Sequence, residues 1–174
     1  MRPAAFLDRD GILNRDTGYV FRREDFQWSE GAVEAAKLLN DSGYLVFVIT
    51  NQSGVAHGYY DEEAVHELHC WMAAELLHKG AHIDAFYYCP HHPEGTRKEY
   101  AVVCECRKPK PGLLLAAIRE WCVDRERSFL IGDKESDVQA AEAAGVRGLL
   151  WRGGNLRDAV EVALRENRFI CRSS

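Results

Sequence analysis

Short apolar blocks alternate with longer amphipathic runs along almost the whole chain, and three of those blocks break directly into acids, hydroxyls or amides. The blocks at 4–7, 44–49, 83–88, 129–131 and 147–151 read as strands. Between them, 31–40, 61–78, 111–121 and 135–144 carry the three-to-four spacing of helices, and 156–165 reads as a final one. Asp61 suits an N-cap and Pro111 a first helical position, while Gly80 and Gly145 suit C-terminal stops. Strand and helix alternating almost throughout argue for an α/β chain whose parallel sheet is covered by helices on both faces. In such a sheet, ligands bind beyond the carboxyl ends of the strands, so the polar residues that end each block are candidate site residues.

A chain of 174 residues has room for one domain, expected over 1–174, and too little for two ordinary ones. The formal charge of −5 leaves no basic face for a polyanion, so no nucleic-acid partner is expected, although a small anion is compatible with it. Apolar runs are too short to span a bilayer, and the charged start enters the first strand at once, leaving no room for a cleavable leader. A soluble cytoplasmic monomer is expected, with the six cysteines as thiols or metal ligands rather than disulfides.

The first block ends in Asp8-Arg9-Asp10-Gly11, two carboxylates one residue apart. Acids held so close need a cation between them, or one keeps a proton; both states are useful, one acid as nucleophile and the other as proton donor. The second block ends in Thr50-Asn51-Gln52-Ser53-Gly54, where hydroxyl, amides and glycine backbone suit phosphate oxygens and equally suit a polar turn. A third ends in Gly132-Asp133-Lys134, with Asp137 in the first turn of the next helix, a position the helix dipole also favours for any acid. Taken together, the strand ends supply a nucleophile, metal-binding acids and phosphate-binding groups. That assembly suits phosphate-monoester cleavage, among the slowest uncatalysed reactions, where accelerations up to about 10²¹ correspond to roughly 28 kcal/mol and one general acid or base supplies only about 10²- to 10⁴-fold.

These segments, with Arg107-Lys108-Pro109, resemble the four ordered motifs of the haloacid dehalogenase-like phosphatases, and the likeness to their histidinol-phosphatase-like branch covers nearly the whole chain. The resemblance implies a three-layer Rossmann-like fold with a parallel central sheet, a minimal cap and a zinc-binding loop at about 89–109. It implies Asp8 as the nucleophile that forms an aspartyl-phosphate, and Asp10 as the acid that protonates the leaving oxygen and then activates water. It implies Mg²⁺ held by Asp8, the carbonyl of Asp10 and Asp133, with Asp137 one layer behind. Thr50 and Lys108 would hold the phosphoryl group. Arg107, Lys134, Asn51, Gln52, Ser53 and the segment Asp16-Thr17-Gly18-Tyr19 would contact a small phosphorylated sugar. The stretch 11–28 lacks periodicity and is expected to fold over the cleft as a flap, with Tyr19 read equally as a plain aromatic lid residue.

Cys89, His91, Cys104 and Cys106 offer three thiolates and an imidazole, the donor set of a closed, structural Zn²⁺ site; their one-residue gaps are tighter than usual finger spacing and leave unbound thiols as the competing reading. The branch has such a loop in the same ligand order. Fixing Cys106 would fix the base of Arg107 and Lys108, whose competing reading is solvated surface charge. His92 is assigned to the surface or the substrate mouth, Cys70 and Cys122 to buried inert positions, and Cys171 carries no argument. Twelve residues separate His91 from Cys104, which resembles the longer loop of the heptose-bisphosphate enzymes rather than the shorter one of the histidinol-phosphate enzymes. Ile12 and His57 depart from that group, which commonly has threonine and arginine there; a neutral imidazole holds a phosphate dianion less well than a guanidinium. Histidinol phosphate is the alternative substrate, and a zinc-stabilised binding module without turnover the alternative class.

Overall fold

The computed structural model describes residues 1–170; Cys171 lies outside them. Strands β1 (Arg2–Leu7), β2 (Leu45–Asn51), β3 (Ala85–Cys89), β4 (Val123–Gly132) and β5 (Arg147–Leu150) form one sheet in the order β3-β2-β1-β4-β5. Every pairing is parallel. Helices α1 (Ala32–Asp41), α2 (Glu62–His78), α3 (Gly112–Trp121), α4 (Glu135–Ala143) and α5 (Leu156–Ile170) supply the crossovers and the terminal cover.

Side chains alternate across the sheet, so each central strand feeds two cores. Ala5, Leu7, Val46, Val48, Phe129 and Ile131 pack on one face with residues of α1, α2 and α5. Ala4, Phe6, Leu45, Phe47, Ile49 and Leu130 pack on the other with residues of α3 and α4. Near-continuous apolar strands are what a sheet buried on both faces demands, and the result is the three-layer arrangement expected from the alternation.

Local signals explain most boundaries. Asp61 accepts a hydrogen bond from Ala64 N at 2.9 Å and caps α2. Pro111 precedes α3 as its flanking residue instead of opening it, a difference of one position. β4 starts at Val123 rather than at 129, because Val123 and Asp124 pair through backbone with Arg2 and Pro3 across a register shift. Its charged stretch Asp124-Arg125-Glu126-Arg127 gives no apolar signal. Two thiols read as buried are exposed. Cys70 sits off the stripe of Val65, Leu68, Met72 and Leu76 that α2 buries, and Cys122 adopts a left-handed conformation, φ +50°, that ends α3. Ile12 is wholly buried in the first core, so its side chain serves packing. Among the described residues no helix is long and apolar enough to cross a membrane.

Candidate active site

The chain leaves β1 toward β2 and β3, then returns to the other side of β1 as β4 and β5. The carboxyl ends of β1, β2 and β4 therefore meet where the strand order reverses, the place where open α/β sheets bind ligands. A cleft of about 250 Å³ lies there.

At its floor Asp8, ending β1, is buried. Its Oδ1 accepts from Arg9 N at 2.8 Å and lies 2.9 Å from Lys108 Nζ. Lys108 Nζ also donates to Ile49 O at 2.8 Å and lies 2.6 Å from Asp137 Oδ1. Burial pulls the Lys108 ammonium down, but Asp8 and Asp137 outweigh it and leave it above the ordinary lysine value. Burial pushes Asp8 up to about 6 against the opposing pull of Lys108, with Asp137 adding to the rise.

Asp133 follows β4 and completes the cluster. One carboxylate oxygen from each of Asp8, Asp133 and Asp137 falls within a mutual 4.8 Å. Burial raises the Asp133 pKa too, and its Oδ1 is buried with no hydrogen-bond partner among the described residues. Two glycines make the gathering possible. A Cβ on Gly11, whose φ is +90°, would lie 2.3 Å from Asp133 Oδ2; one on Gly132 would lie 2.2 Å from Asp137 Cβ. Three carboxylates thus face one ammonium in a buried site, and hard oxygen donors with an unpartnered lone pair fit a divalent cation such as Mg²⁺.

Asp10 turns along the cleft wall. Arg9 grips both of its oxygens, through Nε at 3.2 Å and Nη2 at 3.0 and 2.9 Å. Asn14 Nδ2 donates to Oδ1 at 3.0 Å and Gln52 Nε2 to Oδ2 at 2.9 Å. Gln52 Nε2 also donates to Thr50 Oγ1 at 2.9 Å, while Tyr60 OH donates to Gln52 Oε1 at 2.7 Å. With its oxygen accepting, the buried Thr50 hydroxyl keeps its hydrogen for a ligand in the cleft. Asn51 does a different job from its neighbours: its amide clamps the Lys108 backbone, accepting from Lys108 N at 3.1 Å and donating to Lys108 O at 3.2 Å.

The flap stretch does fold against the cleft, closed by bridges from Asn14 to Asp10 and Trp28 and one 3₁₀ turn at Arg23–Asp25. It brings Asp16, Gly18 and Tyr19 to the rim beside Ser53 and Lys134. Asp16 Oδ2 lies 3.8 Å from Lys134 Nζ, and Tyr19 packs edge-on against Tyr59 at 4.7 Å. The rings of His57 and His92 meet at a tilt of 45° with centroids 4.9 Å apart nearby. Thr17 and Arg107 stand apart from the cleft lining; Arg107 Nη1 donates to His91 O at 3.2 Å.

The second cluster sits beside the first. Sγ atoms of Cys89, Cys104 and Cys106 are 3.0 to 3.5 Å apart, and His91 Nδ1 lies 3.3 Å from Cys106 Sγ and 3.6 Å from Cys89 Sγ. Those separations are too long for disulfides and close to the edge of a tetrahedron around Zn²⁺. Burial pushes the Cys89 thiol up, so in the absence of a cation it stays protonated. The loop docks on the segment after β2, with Arg97 N donating to Ala56 O at 2.9 Å and Thr96 Oγ1 to His57 O at 2.9 Å.

Sequence reasoning left Arg9, Tyr60 and His69 without a role. Arg9 stood between the paired acids as a motif letter, and a cation inside an apolar strand end needs acceptors; His69 falls on the buried stripe of α2, where an imidazole needs a partner. Tyr60 left no signal beyond its aromatic ring.

A family model described as HAD-hydrolase-like matches residues 105–173. The D-glycero-beta-D-manno-heptose-1,7-bisphosphate 7-phosphatase of Rhodopseudomonas palustris is 51% identical over 165 residues, covering 95% of this chain and 92% of its own. The protein of that name from Escherichia coli K12 is 44% identical over 144 residues, covering 83% and 75%. Among solved structures, a HAD-like phosphatase from Mesorhizobium loti superposes with a TM-score of 0.86 at 30% identity, over 95% of this chain and 87% of that one. The D,D-heptose 1,7-bisphosphate phosphatase of B. bronchiseptica, complexed with magnesium and phosphate, superposes at 0.78 with 28% identity over 100% of both chains.

Proposed function

The chain belongs to the haloacid dehalogenase-like phosphatases, and from that premise we propose how its residues remove the 7-phosphate of D-glycero-D-manno-heptose 1,7-bisphosphate. The observation that carries the reading is the buried Asp8–Lys108 pair beside the unpartnered Asp133 oxygen at the reversal of strand order. The relatives' names specify the β anomer, and we extend that preference to this chain.

Asp8 Oδ1 is held by Arg9 N and Lys108, which leaves Oδ2 as the attacking atom. It bonds to phosphorus as the bond to the sugar C7 oxygen breaks, and Asp10 delivers a proton to that oxygen. Asp10 then takes a proton from water as the water oxygen bonds to phosphorus and the bond from phosphorus to Asp8 Oδ2 breaks, releasing inorganic phosphate and restoring the carboxylate. Lys108 and the Thr50 hydroxyl stabilise charge on the phosphoryl oxygens throughout. Asp8, the carbonyl of Asp10 and Asp133 would hold Mg²⁺, beside Asp137; when bound it supplies a divalent charge that offsets the carboxylates and polarises the phosphoryl group. Asp16, Gly18, Tyr19, Ser53 and Lys134 line the mouth that receives the sugar, with Arg107 beyond them.

The sulfur cluster would hold structural Zn²⁺ and so fix the strand of chain that carries Lys108. The protein works in the cytoplasm, where these thiols stay reduced, as one catalytic unit with its zinc loop.

The test is kcat/KM for the heptose bisphosphate anomers and histidinol phosphate with Mg²⁺, alongside trapping of covalent phosphate on wild type and Asp8→Asn. The expected result is a preference for the 7-phosphate of the β anomer and a phosphoenzyme absent from Asp8→Asn. Faster turnover of histidinol phosphate refutes the substrate, and turnover surviving in Asp8→Asn refutes the nucleophile.

A further inference from the structure

Among the described residues, Arg9 is the largest wholly buried side chain. A guanidinium cut off from water needs an acceptor for its N–H groups and can accept nothing itself. Nε and Nη2 grip Asp10, Nη2 also donates to the flap carbonyl of Val20, and Nη1 lies 3.3 Å from His69 Nε2. Because Arg9 only donates, Nε2 of His69 must be the acceptor and the ring proton must sit on Nδ1.

His69 is built to stay put. The residue is 4% exposed, and its ring lies face to face with Phe86 at 4.6 Å and 19° and meets Tyr88 edge to face at 5.9 Å. It projects from α2 against β3, both remote in sequence from the paired acids. We infer that His69 is a positioning residue for the acid–base step, an uncharged anchor that orients Arg9 so that Arg9 holds the Asp10 carboxyl at the cleft wall. This rests on the reading of Asp10 as the acid–base group.

Neutrality is part of the design. Burial, reinforced by the charge of Arg9, pushes His69 down to about 3, so the imidazole accepts without adding charge. A carboxylate at that place would compete with Asp10 for the guanidinium, whereas a neutral acceptor leaves Asp10 as the sole counter-ion among the groups bonded to Arg9. The link to Val20 also ties the flap to the same guanidinium, so a shift in Arg9 moves the acid and the lid together.

Leaving-group dependence reads the effect out. A nitrophenolate departs without a proton, while a sugar alkoxide requires one, so misplacing Asp10 penalises the sugar alone in the first step, which kcat/KM reports. In His69→Leu, kcat/KM for the sugar bisphosphate is expected to fall about 10- to 100-fold while that for p-nitrophenyl phosphate changes less than about threefold. His69→Gln, whose amide oxygen still accepts, is expected to restore most of the loss. Equal losses on both substrates, or none, would overturn the inference. Should His69→Leu not fold, His69→Asn against His69→Gln gives the same contrast of reach at equal polarity, and identical behaviour of that pair overturns it. Asp10→Asn is the control. If it shows the selective loss and the His69 variants do not, only the inference falls; if it loses both substrates equally, the acid role falls and the inference with it.

Discussion

Two clusters of metal-ligating atoms lie side by side in this protein, and they differ in what surrounds them. Asp8, Asp133 and Asp137 present oxygen, and two of them, Asp8 and Asp137, share a lysine and line a cleft. Cys89, His91, Cys104 and Cys106 present sulfur and nitrogen, close on one another and stand outside that cleft lining. The first is underneutralised, with Asp133 Oδ1 left without a partner among the described residues, so a cation improves it and only then is a phosphate anion favoured there. The second is self-contained, and a cation satisfies it without leaving a place for substrate. On the proposed reading the contrast teaches that reactivity follows from incomplete satisfaction, whereas a complete donor set acts as a brace.

The braces and the reactive groups meet at Lys108, two residues beyond Cys106. Replacing it should cost more activity than loosening the sulfur brace beside it. Lys108→Met removes the one cation that, among the described residues, touches both Asp8 and Asp137, and kcat should fall about 10²- to 10³-fold, as when a preorganised donor is removed from an oxyanion site. Steady-state kinetics check this, and a loss below tenfold would mean that the oxygen cluster does not depend on its lysine. Removing the metal proposed for the sulfur cluster is the next largest. If the sulfur cluster is only a brace, verified zinc stripping should lower kcat/KM by about 10- to 100-fold and melt the loop, and adding Mg²⁺ alone should not restore either. Full activity in zinc-free protein measured by metal analysis would separate the two clusters altogether.

The smallest effect belongs to a position outside both. Asp61→Ala deletes the N-cap of α2 and should cost about 1 kcal/mol, lowering the melting temperature by about 2–4 °C with kcat/KM unchanged. A fall in activity there would show that α2, through His69, transmits its stability to the acid–base group more strongly than the static contacts suggest.

Much of this was legible in the chain. The periodicity switches placed five strands and five helices, because burial on both faces of a parallel sheet writes itself as short continuous apolar blocks. The acids and hydroxyls at the ends of β1, β2 and β4 were readable for the same reason: a polar residue directly after a buried strand has the cleft as its outlet. Other features were hidden. The start of β4 has no apolar pattern, since it is held by backbone pairing alone. The exposure of Cys70 depends on which face of α2 docks, and the clamp of Asn51 on Lys108 joins residues 57 apart. The packing role of Ile12 could not be told from a site role next to Asp10-Gly11.

The residue types and their order determined the fold class, the strand-end acids and the sulfur donor set, because these are local in the chain and each is dictated by periodicity or by chemistry at short spacing. The tertiary structure decided which acids share a lysine, which carboxylate oxygen is left without a partner, and that a buried imidazole on α2 anchors the arginine between the paired acids. Those outcomes depend on strand order and on close approaches at Gly11 and Gly132. Electrostatic and hydrogen-bond energies act over a few ångströms of space, whatever the distance along the chain.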